Sequence, residues 1–443
     1  MARHEEYDEK DVHSIVEYAH KLVGHSLREK TNASKLDDPH RRKGAFGNAV
    51  EEYYFHYAPN SDSAPDFSEA GLELKCTPLK RTTKGGLVAK ERLVLSMIDY
   101  MSVVNETFET SHLMEKIDNI LLISYLWEKD VDLLDYKVVL ADVWSIPPED
   151  VPQIKADWET VVNKVRSGHA EDISGSDTVY LEACTKSANS KVRRSQPFSS
   201  ACAKPRAWAF KASYMTSVQN HLLENAKAIG RSADEGSIGL LELVRRRFEP
   251  FFGLTEAELA KKMGVSCSKD RCARITKRIL GIGENEQIAE FVKAGIEPKT
   301  IRLKKNGKPK EPLSFRAFNY YDLEEREFED SDFYSYLQNM YLFVLYREDQ
   351  DGAYRLSDIC FWQMSDDDLD EAKACYDQMR ENVREGLAIV SVRSTENRCC
   401  FVKTHGRDSK DTCPQPHGKP VPKKSFWLNA NYIADEIAKA LGR

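Results

Sequence analysis

The stretch PDFSEAGLELKCTP, from Pro65 to Pro78, holds two carboxylates and a lysine at a spacing that suits phosphodiester hydrolysis. If Gly71–Thr77 is a strand, alternate side chains share a face, so Glu73 and Lys75 point one way while Leu72 and Leu74 point into apolar surroundings. Asp66 lies upstream across a turn-like segment and brings a second carboxylate to the same face. Two carboxylates suit Mg²⁺, a hard cation that prefers oxygen ligands and is commonly held jointly with substrate phosphate. A lysine beside that cation can orient or help deprotonate the attacking water and offset charge developing in the transition state. Asp followed by Glu-x-Lys also arises by chance on ordinary half-exposed strands, so the surrounding elements must decide.

Those elements read as a mixed α/β domain. Val12, Ile15, Val16, Ala19, Leu22 and Val23 recur at the spacing of one apolar helix face. Gly47–Phe55 predicts a second helix and Asp157–Arg166 a third. Short apolar runs at Gly71–Lys75, Arg92–Ile98, Asn119–Trp127 and Asp135–Val143 predict strands.

The pattern is then written again. A shift of 220 residues lays Leu93–Glu128 on Leu313–Glu348 without a gap. Eight of those 36 positions are identical, where chance gives about two, so the chain carries an internal repeat. The identities include Tyr100/Tyr320, Phe108/Phe328, Glu109/Glu329, Ser111/Ser331 and Asn119/Asn339. AGLELKCTPL from Ala70 likewise matches AGIEPKTIRL from Ala294, and RAWAFKASYMTSV from Arg206 matches KSFWLNANYIADE from Lys424. The expected architecture is two tandem α/β domains, residues 1–224 and 238–443, joined by a polar linker at 225–237.

Composition narrows the class. With 443 residues, 41% hydrophobic and 30% charged, the chain is globular, not disordered. Its longest apolar stretches, Ile120–Trp127 and Met340–Tyr346, are too short to cross a membrane as helices. The start MARHEEYDEKD lacks the apolar core of a secretory signal, so a cytoplasmic protein with reduced cysteines is expected. Cys399, Cys400, His405, Cys413 and His417 are residue types that bind zinc, but no CxxC pair is among them, and a Cys-bearing strand followed by a polar loop is the expectation.

The net charge of −7 conceals segregation. Between Cys184 and Lys211 stand Lys186, Lys191, Arg193, Arg194, Lys204, Arg206 and Lys211 with no acidic residue, and with Trp208 and Phe210 interleaved. Lys299–Lys310 is a second basic stretch without an acid. Local patches of this kind can bind phosphates within an acidic protein.

Four motifs in order carry a resemblance. KGAFGNAVEEYY from Lys43, APDFSEAGLELKCTP from Ala64, FETSHLMEKI from Phe108, and YLEACTKSANSK with AWAFKASYMTS resemble the MutH family of PD-(D/E)xK DNA endonucleases, most like its two-domain, GATC-cutting Sau-type restriction enzymes. The resemblance covers the whole first half and, more weakly, the second. It implies two tandem MutH-like domains, a pseudo-dimer in one chain, each a mixed β-sheet flanked by helices. It assigns Asp66 and Glu73 as metal ligands and Lys75 as the catalytic lysine. Glu51, at the family's Gly-x-x-x-Glu spacing from Gly47, becomes the supporting helical carboxylate, and Lys116 a second lysine near the scissile phosphate. Lys43, Gly44 and Lys186 match DNA-reading positions, and a basic side chain against guanine is the expected major-groove contact. Lys191, Arg193, Arg194 and Lys211, with Arg407 in the second half, complete the expected DNA-contacting set.

The sequence also departs from the family. Cys184 and Thr185 stand where the repair nickase has Arg-Pro, and Ala209 where it has a tyrosine sensing the adenine methyl group, which argues against methylation sensing of the repair type. In the second copy Glu297 and Lys299 persist, but Pro298 falls inside the strand, Glu290 stands for Asp66, Tyr336 replaces Lys116 and no acid matches Glu51. Proline removes a ladder donor and is poorly tolerated in a central strand. The second half is therefore expected to bind DNA or regulate, not to cut.

The reading is a type II restriction endonuclease that hydrolyses double-stranded DNA at GATC-like sites with Mg²⁺ and leaves 5′-phosphate ends. With one catalytic site per chain, a dimer assembled on DNA is expected, and restriction biology implies a cognate DNA methyltransferase. The alternatives are a GATC-specific repair nickase, disfavoured by the second copy and Ala209, and a non-catalytic DNA-site reader, disfavoured by an intact Asp66, Glu73 and Lys75.

Overall fold

The computed structural model describes residues 6–31, 45–58, 64–82, 86–187, 191–220, 226–227, 235, 238–266, 271–283, 286–408 and 411–442. In the first half, helix α1 (Val12–His20) is capped by the Asp11 side chain and buries Ile15, Tyr18 and Ala19. Helix α2 (Ala45–Ala49) runs into a π turn, Val50–Tyr54, closed by Phe55 N donating to Val50 O at 2.9 Å. Strands β1 (Glu73–Arg81), β2 (Leu87–Ala89), β3 (Leu93–Met97), β4 (Ile120–Leu126) and β5 (Val138–Trp144) follow, with helix α3 (His112–Ile117) before β4. The main sheet has the order β2-β1-β4-β5, in which β1 and β4 are parallel. After helix α4 (Val151–Arg166), strands β6 (Leu181–Thr185) and β7 (Arg206–Phe210) join β3 in a separate sheet, and helix α5 (Ala212–Asn220) closes the half.

Several boundaries differ from those read in the sequence, three of them for a clear local reason. Strand β1 begins at Glu73 because Gly71 adopts a left-handed φ of +64° and turns the chain there. It continues to Arg81 because the β2 hairpin pairs with its far end, at Leu79–Arg81. Helix α4 starts earlier than Asp157, at Val151, where Pro152 is tolerated in the first turn.

The second half repeats the plan behind an added helical preface. Helices α6 (Leu240–Phe248), α7 (Glu256–Met263), α8 (Arg271–Ile279) and α9 (Ala289–Ala294) lead to strands β8 (Ile296–Leu303) and β9 (Leu313–Ala317). Helix α10 (Asp332–Gln338), strands β10 (Met340–Glu348) and β11 (Tyr354–Trp362), helix α11 (Asp366–Arg384), strands β12 (Cys400–Thr404) and β13 (Lys424–Leu428), and helix α12 (Ala430–Ala440) complete it. Its sheets, β8-β10-β11 and β9-β13-β12, reproduce the two sheets of the first half, with β8 and β10 again parallel. Gly295, at +62°, repeats the turn of Gly71.

Several identical residues of the repeat do the same structural work. Ser111 and Ser331 both cap the following helix and donate to Phe108 O and Phe328 O, at 2.7 and 2.6 Å. Glu109 pairs with Lys155, and Glu329 with Lys373. Tyr100 and Tyr320 donate to Lys204 O and Pro422 O, tying each half to the loop before its last strand.

The halves are not separated by the polar segment between them. Leu240, Leu243, Val244 and Phe248 of α6 lie in one buried cluster with Ile154, Trp158 and Phe210 of the first half and Leu342, Val344 and Ile359 of the second. Across the same junction the buried Lys293 ammonium lies 2.7 Å from Asp150 Oδ1, whose Oδ2 accepts from Tyr214 at 3.0 Å. Among the described residues no helix is long and apolar enough to cross a membrane.

Candidate active site

The site forms where β1 leaves the Gly71 turn. Leu72 and Leu74 are buried among Phe46, Phe67 and Leu121, so the strand's alternation turns Glu73 and Lys75 toward the other face, as the sequence implied. Glu73 is only 3% exposed. Its Oε1 accepts from the Lys75 ammonium, and the Lys116 ammonium, in the last turn of α3, lies 3.7 Å from the same oxygen. Asp66 is fixed from the opposite side: its Oδ2 accepts from Leu74 N at 2.9 Å. Glu51, on the π turn, is the third carboxylate of this neighbourhood. Such turns insert one residue into a helix and often occur at functional sites.

The electrostatics show what this arrangement lacks. Burial first, and the Asp66 charge second, push the Glu51 carboxyl up to about 7, against the pull of Lys75. Burial and Glu73 also raise Asp66, opposed by the Leu74 N–H. Glu73 Oε2 is buried with no hydrogen-bond partner among the described residues. Concentrated, desolvated negative charge with a free carboxylate oxygen fits a hard divalent cation, which would remove the repulsion and take the unsatisfied lone pairs. No group of three or more His, Cys, Asp or Glu among the described residues is arranged to hold a metal alone. Asp66 and Glu73 are the carboxylates that could hold a divalent ion here, with the remaining positions left to water or other oxygen donors.

One neighbour was missed. Tyr57 donates its backbone N–H to Glu51 O at 3.0 Å and packs edge-on against Phe67, next to Asp66. Its hydroxyl is buried with no hydrogen-bond partner among the described residues, and burial followed by Asp66 raises its pKa. No motif marks this tyrosine in VEEYYFHY; only the fold brings it to the carboxylates.

The expected DNA contacts divide. Lys43 and Gly44 lie outside the described residues. Lys186, Lys191, Arg193 and Arg194 are all exposed on one loop region after β6, and the Arg407 side chain is 92% exposed. Lys211 does not belong with them. It is buried, and its ammonium donates to Gly175 O, Thr178 O and Gln363 Oε1 at 2.7, 2.8 and 3.1 Å, joining the halves from inside. Arg206 is likewise buried against Ala183 O and Ile173 O, and Lys204 pairs with Asp367 of the second half. Trp208 and Phe210 are core residues of β7, not stacking platforms. Ala209 and Cys184 are also buried, so neither occupies a surface that touches a ligand.

In the second copy the site has dissolved. Glu297 is 42% exposed, accepts from Asn339 Nδ2 at 3.1 Å and lies 3.3 Å from Lys299. Glu290 sits on helix α9, not on a turn like that of Asp66, and Tyr336 stacks on Phe315. Helix α8, which packs on β8 as α2 packs on β1, carries Arg271, Arg274, Lys277 and Arg278 and no carboxylate. Pro298 is accommodated because β8 is an edge strand. At the Cys/His cluster, Cys399 and Cys400 are buried at the start of β12, His405 Nδ1 meets Ser425 Oγ at 2.8 Å and His417 meets Glu324. The histidines thus have other partners, and no metal-binding group is formed there among the described residues.

Comparison with known proteins identifies the family. The family described as "DNA mismatch repair enzyme MutH" matches residues 55–157 and again 282–373, one segment in each half. The type II restriction enzyme Sau3AI of Staphylococcus aureus is 30% identical over 96% of this chain and 97% of its own. The DNA mismatch repair protein MutH of Vibrio vulnificus is 30% identical over 40% of this chain and 78% of its own, and that of Serratia proteamaculans 28% over 40% and 77%.

Proposed function

The chain belongs to the family of MutH and the restriction enzyme Sau3AI, and we propose that it is a type II restriction endonuclease that hydrolyses double-stranded DNA at GATC-like sites with Mg²⁺, leaving 5′-phosphate and 3′-hydroxyl ends. The observation that carries this is the asymmetry of the two copies. The first holds a buried Glu73 with two lysines and Asp66 beside it; the second has a half-exposed Glu297, and the helix packed on its strand carries arginines and no carboxylate.

Asp66 and Glu73 would hold the divalent ion, which would supply Lewis acidity toward the scissile phosphate and its attacking water. Glu51 acts through the site's charge: ionised, it strengthens cation binding; protonated, it weakens it. Lys75 orients the water and Lys116 meets a phosphate oxygen as negative charge develops. The buried position of Glu73 makes these contacts stronger than they would be in water. Lys43, Gly44 and Lys186 read the bases, and Lys191, Arg193, Arg194 and Arg407 meet the backbone. The second half, residues 238–443 after the 225–237 linker, binds DNA or regulates without cutting. With one catalytic centre per chain, both strands are cut by two chains assembled on DNA, and host DNA is protected by a cognate methyltransferase.

The test is to incubate the purified protein with unmethylated plasmid, with Mg²⁺ or with EDTA, beside Asp66→Ala, and to sequence every end. Metal-dependent double-strand breaks at GATC, absent in the variant, are expected. Intact DNA that is nevertheless bound would overturn the catalytic assignment, and nicks confined to one strand would favour the repair reaction.

A further inference from the structure

Within the basic stretch, residues 194–203 form a hairpin closed by two backbone hydrogen bonds, Arg194 N to Ala203 O at 2.8 Å and Ala203 N to Arg194 O at 2.9 Å. Its interior is pinned by Gln196, which is 4% exposed: Oε1 accepts from Ala170 N at 2.8 Å, and Nε2 donates to Ala201 O at 2.9 Å and to the Glu171 carboxylate. At its tip stands Phe198, 76% exposed, with a left-handed φ of +62°. The tip is held by close backbone contact with Gly168, just beyond α4. A Cβ at Gly168 would lie 2.8 Å from Phe198 O, and Gly168 itself has a φ of +75°.

Three features are therefore joined in one rigid element. An aromatic ring is displayed to solvent instead of buried. A bulky residue is kept in a backbone conformation that glycine or asparagine would adopt more cheaply, and strain of that kind persists where surrounding structure imposes it. The exposed N-terminal flank carries Lys191, Arg193 and Arg194, in a stretch from Cys184 to Lys211 with no acid; Glu171, which meets the hairpin from the turn after α4, is engaged by Gln196. An exposed ring on the same hairpin as exposed cations suits a ligand that alternates flat apolar faces with phosphates, which is the surface of nucleic acid.

We propose that the 194–203 hairpin is a DNA-contacting finger, in which Phe198 packs against the bases of the bound duplex while Lys191, Arg193 and Arg194 meet flanking phosphates. This rests on the reading of the chain as a nuclease of double-stranded DNA. The finger supplies shape and stacking; it carries none of the hydrolytic groups.

The experiment measures binding of the full-length protein to a duplex containing GATC, in EDTA, across a series of salt concentrations. The duplex carries 2-aminopurine beside the site, as a reporter of unstacking. Phe198→Ala is expected to weaken binding about tenfold, within the range of one lost aromatic stacking contact, and to abolish the fluorescence rise seen with the unaltered protein. Its salt dependence should be unchanged. Arg193→Ala with Arg194→Ala should instead flatten the salt slope by about two. Phe198→Trp should restore affinity, which separates stacking from a general disturbance of the loop. Unchanged affinity and fluorescence in Phe198→Ala would overturn the proposal, as would a Phe198→Ala effect on the self-association of the DNA-free protein, which would make the ring a protein contact. Failure of the unaltered protein to bind duplex DNA would instead sink the nuclease reading itself.

Discussion

Replacing Glu51 by glutamine should stabilise the metal-free protein at neutral and alkaline pH while weakening its response to Mg²⁺. The Glu51 carboxyl is pushed up to about 7 from 4.5 by burial and by Asp66. At about 1.36 kcal/mol per unit, a shift of roughly 2.5 units corresponds to about 3 kcal/mol. Glu51 is only half-buried, and water screens part of that, leaving about 1–2 kcal/mol. The sign follows from proton counts. Between about pH 4.5 and 7 the folded chain retains a proton that the unfolded chain has lost, so stability falls as pH rises, and the penalty is complete above 7. Asp66, also raised, contributes in the same direction and leaves a residual slope in the variant. Urea unfolding in EDTA at pH 5 and pH 8 measures this. The unaltered protein should lose about 1–2 kcal/mol more than Glu51→Gln between the two, and Mg²⁺ at pH 8 should raise its midpoint more than that of the variant. Equal pH dependence of the two proteins would show that Glu51 does not share a desolvated site with Asp66, and the argument for a cation there would lose its electrostatic support.

Two further outcomes separate structural from chemical lysines. Lys211→Met removes the donor to two carbonyls and Gln363 between the halves; it should lower the urea midpoint by an amount equivalent to about 2–3 kcal/mol without altering the salt dependence of DNA binding, and a changed salt slope would return Lys211 to the DNA-contacting set. Lys75→Ala should reduce single-turnover cleavage by about 10³, whereas Lys299→Ala, its counterpart in the exposed second copy, should leave the cleavage step within about twofold of the unaltered rate; comparable losses would mean that both copies take part in the chemistry.

Much of the first half was legible because its logic is local. Alternation along LELK sets Glu73 and Lys75 opposite Leu72 and Leu74 in any strand with one buried face. The repeat was equally visible, because Ser111, Phe108, Tyr100 and their counterparts serve contacts within their own half. Side-chain type and spacing carry that information directly. Charge, in contrast, was legible only as composition. A run of lysines and arginines does not state which of them face solvent: Lys186, Lys191, Arg193 and Arg194 do, while Lys204, Arg206 and Lys211 pair inside the molecule or with the second half.

What the sequence determined by itself is thus the element plan, its duplication, and the presence of a carboxylate and lysine set in the first copy only. Tertiary structure alone decided that the copies share a core through helix α6, that Tyr57 reaches the Glu73–Asp66 neighbourhood, and that Phe198 is held out at the tip of its hairpin. The physical reason is range. Alternation, capping and turns are set within a few residues, whereas burial and the pairing of charges depend on which distant surfaces the packed chain brings into contact.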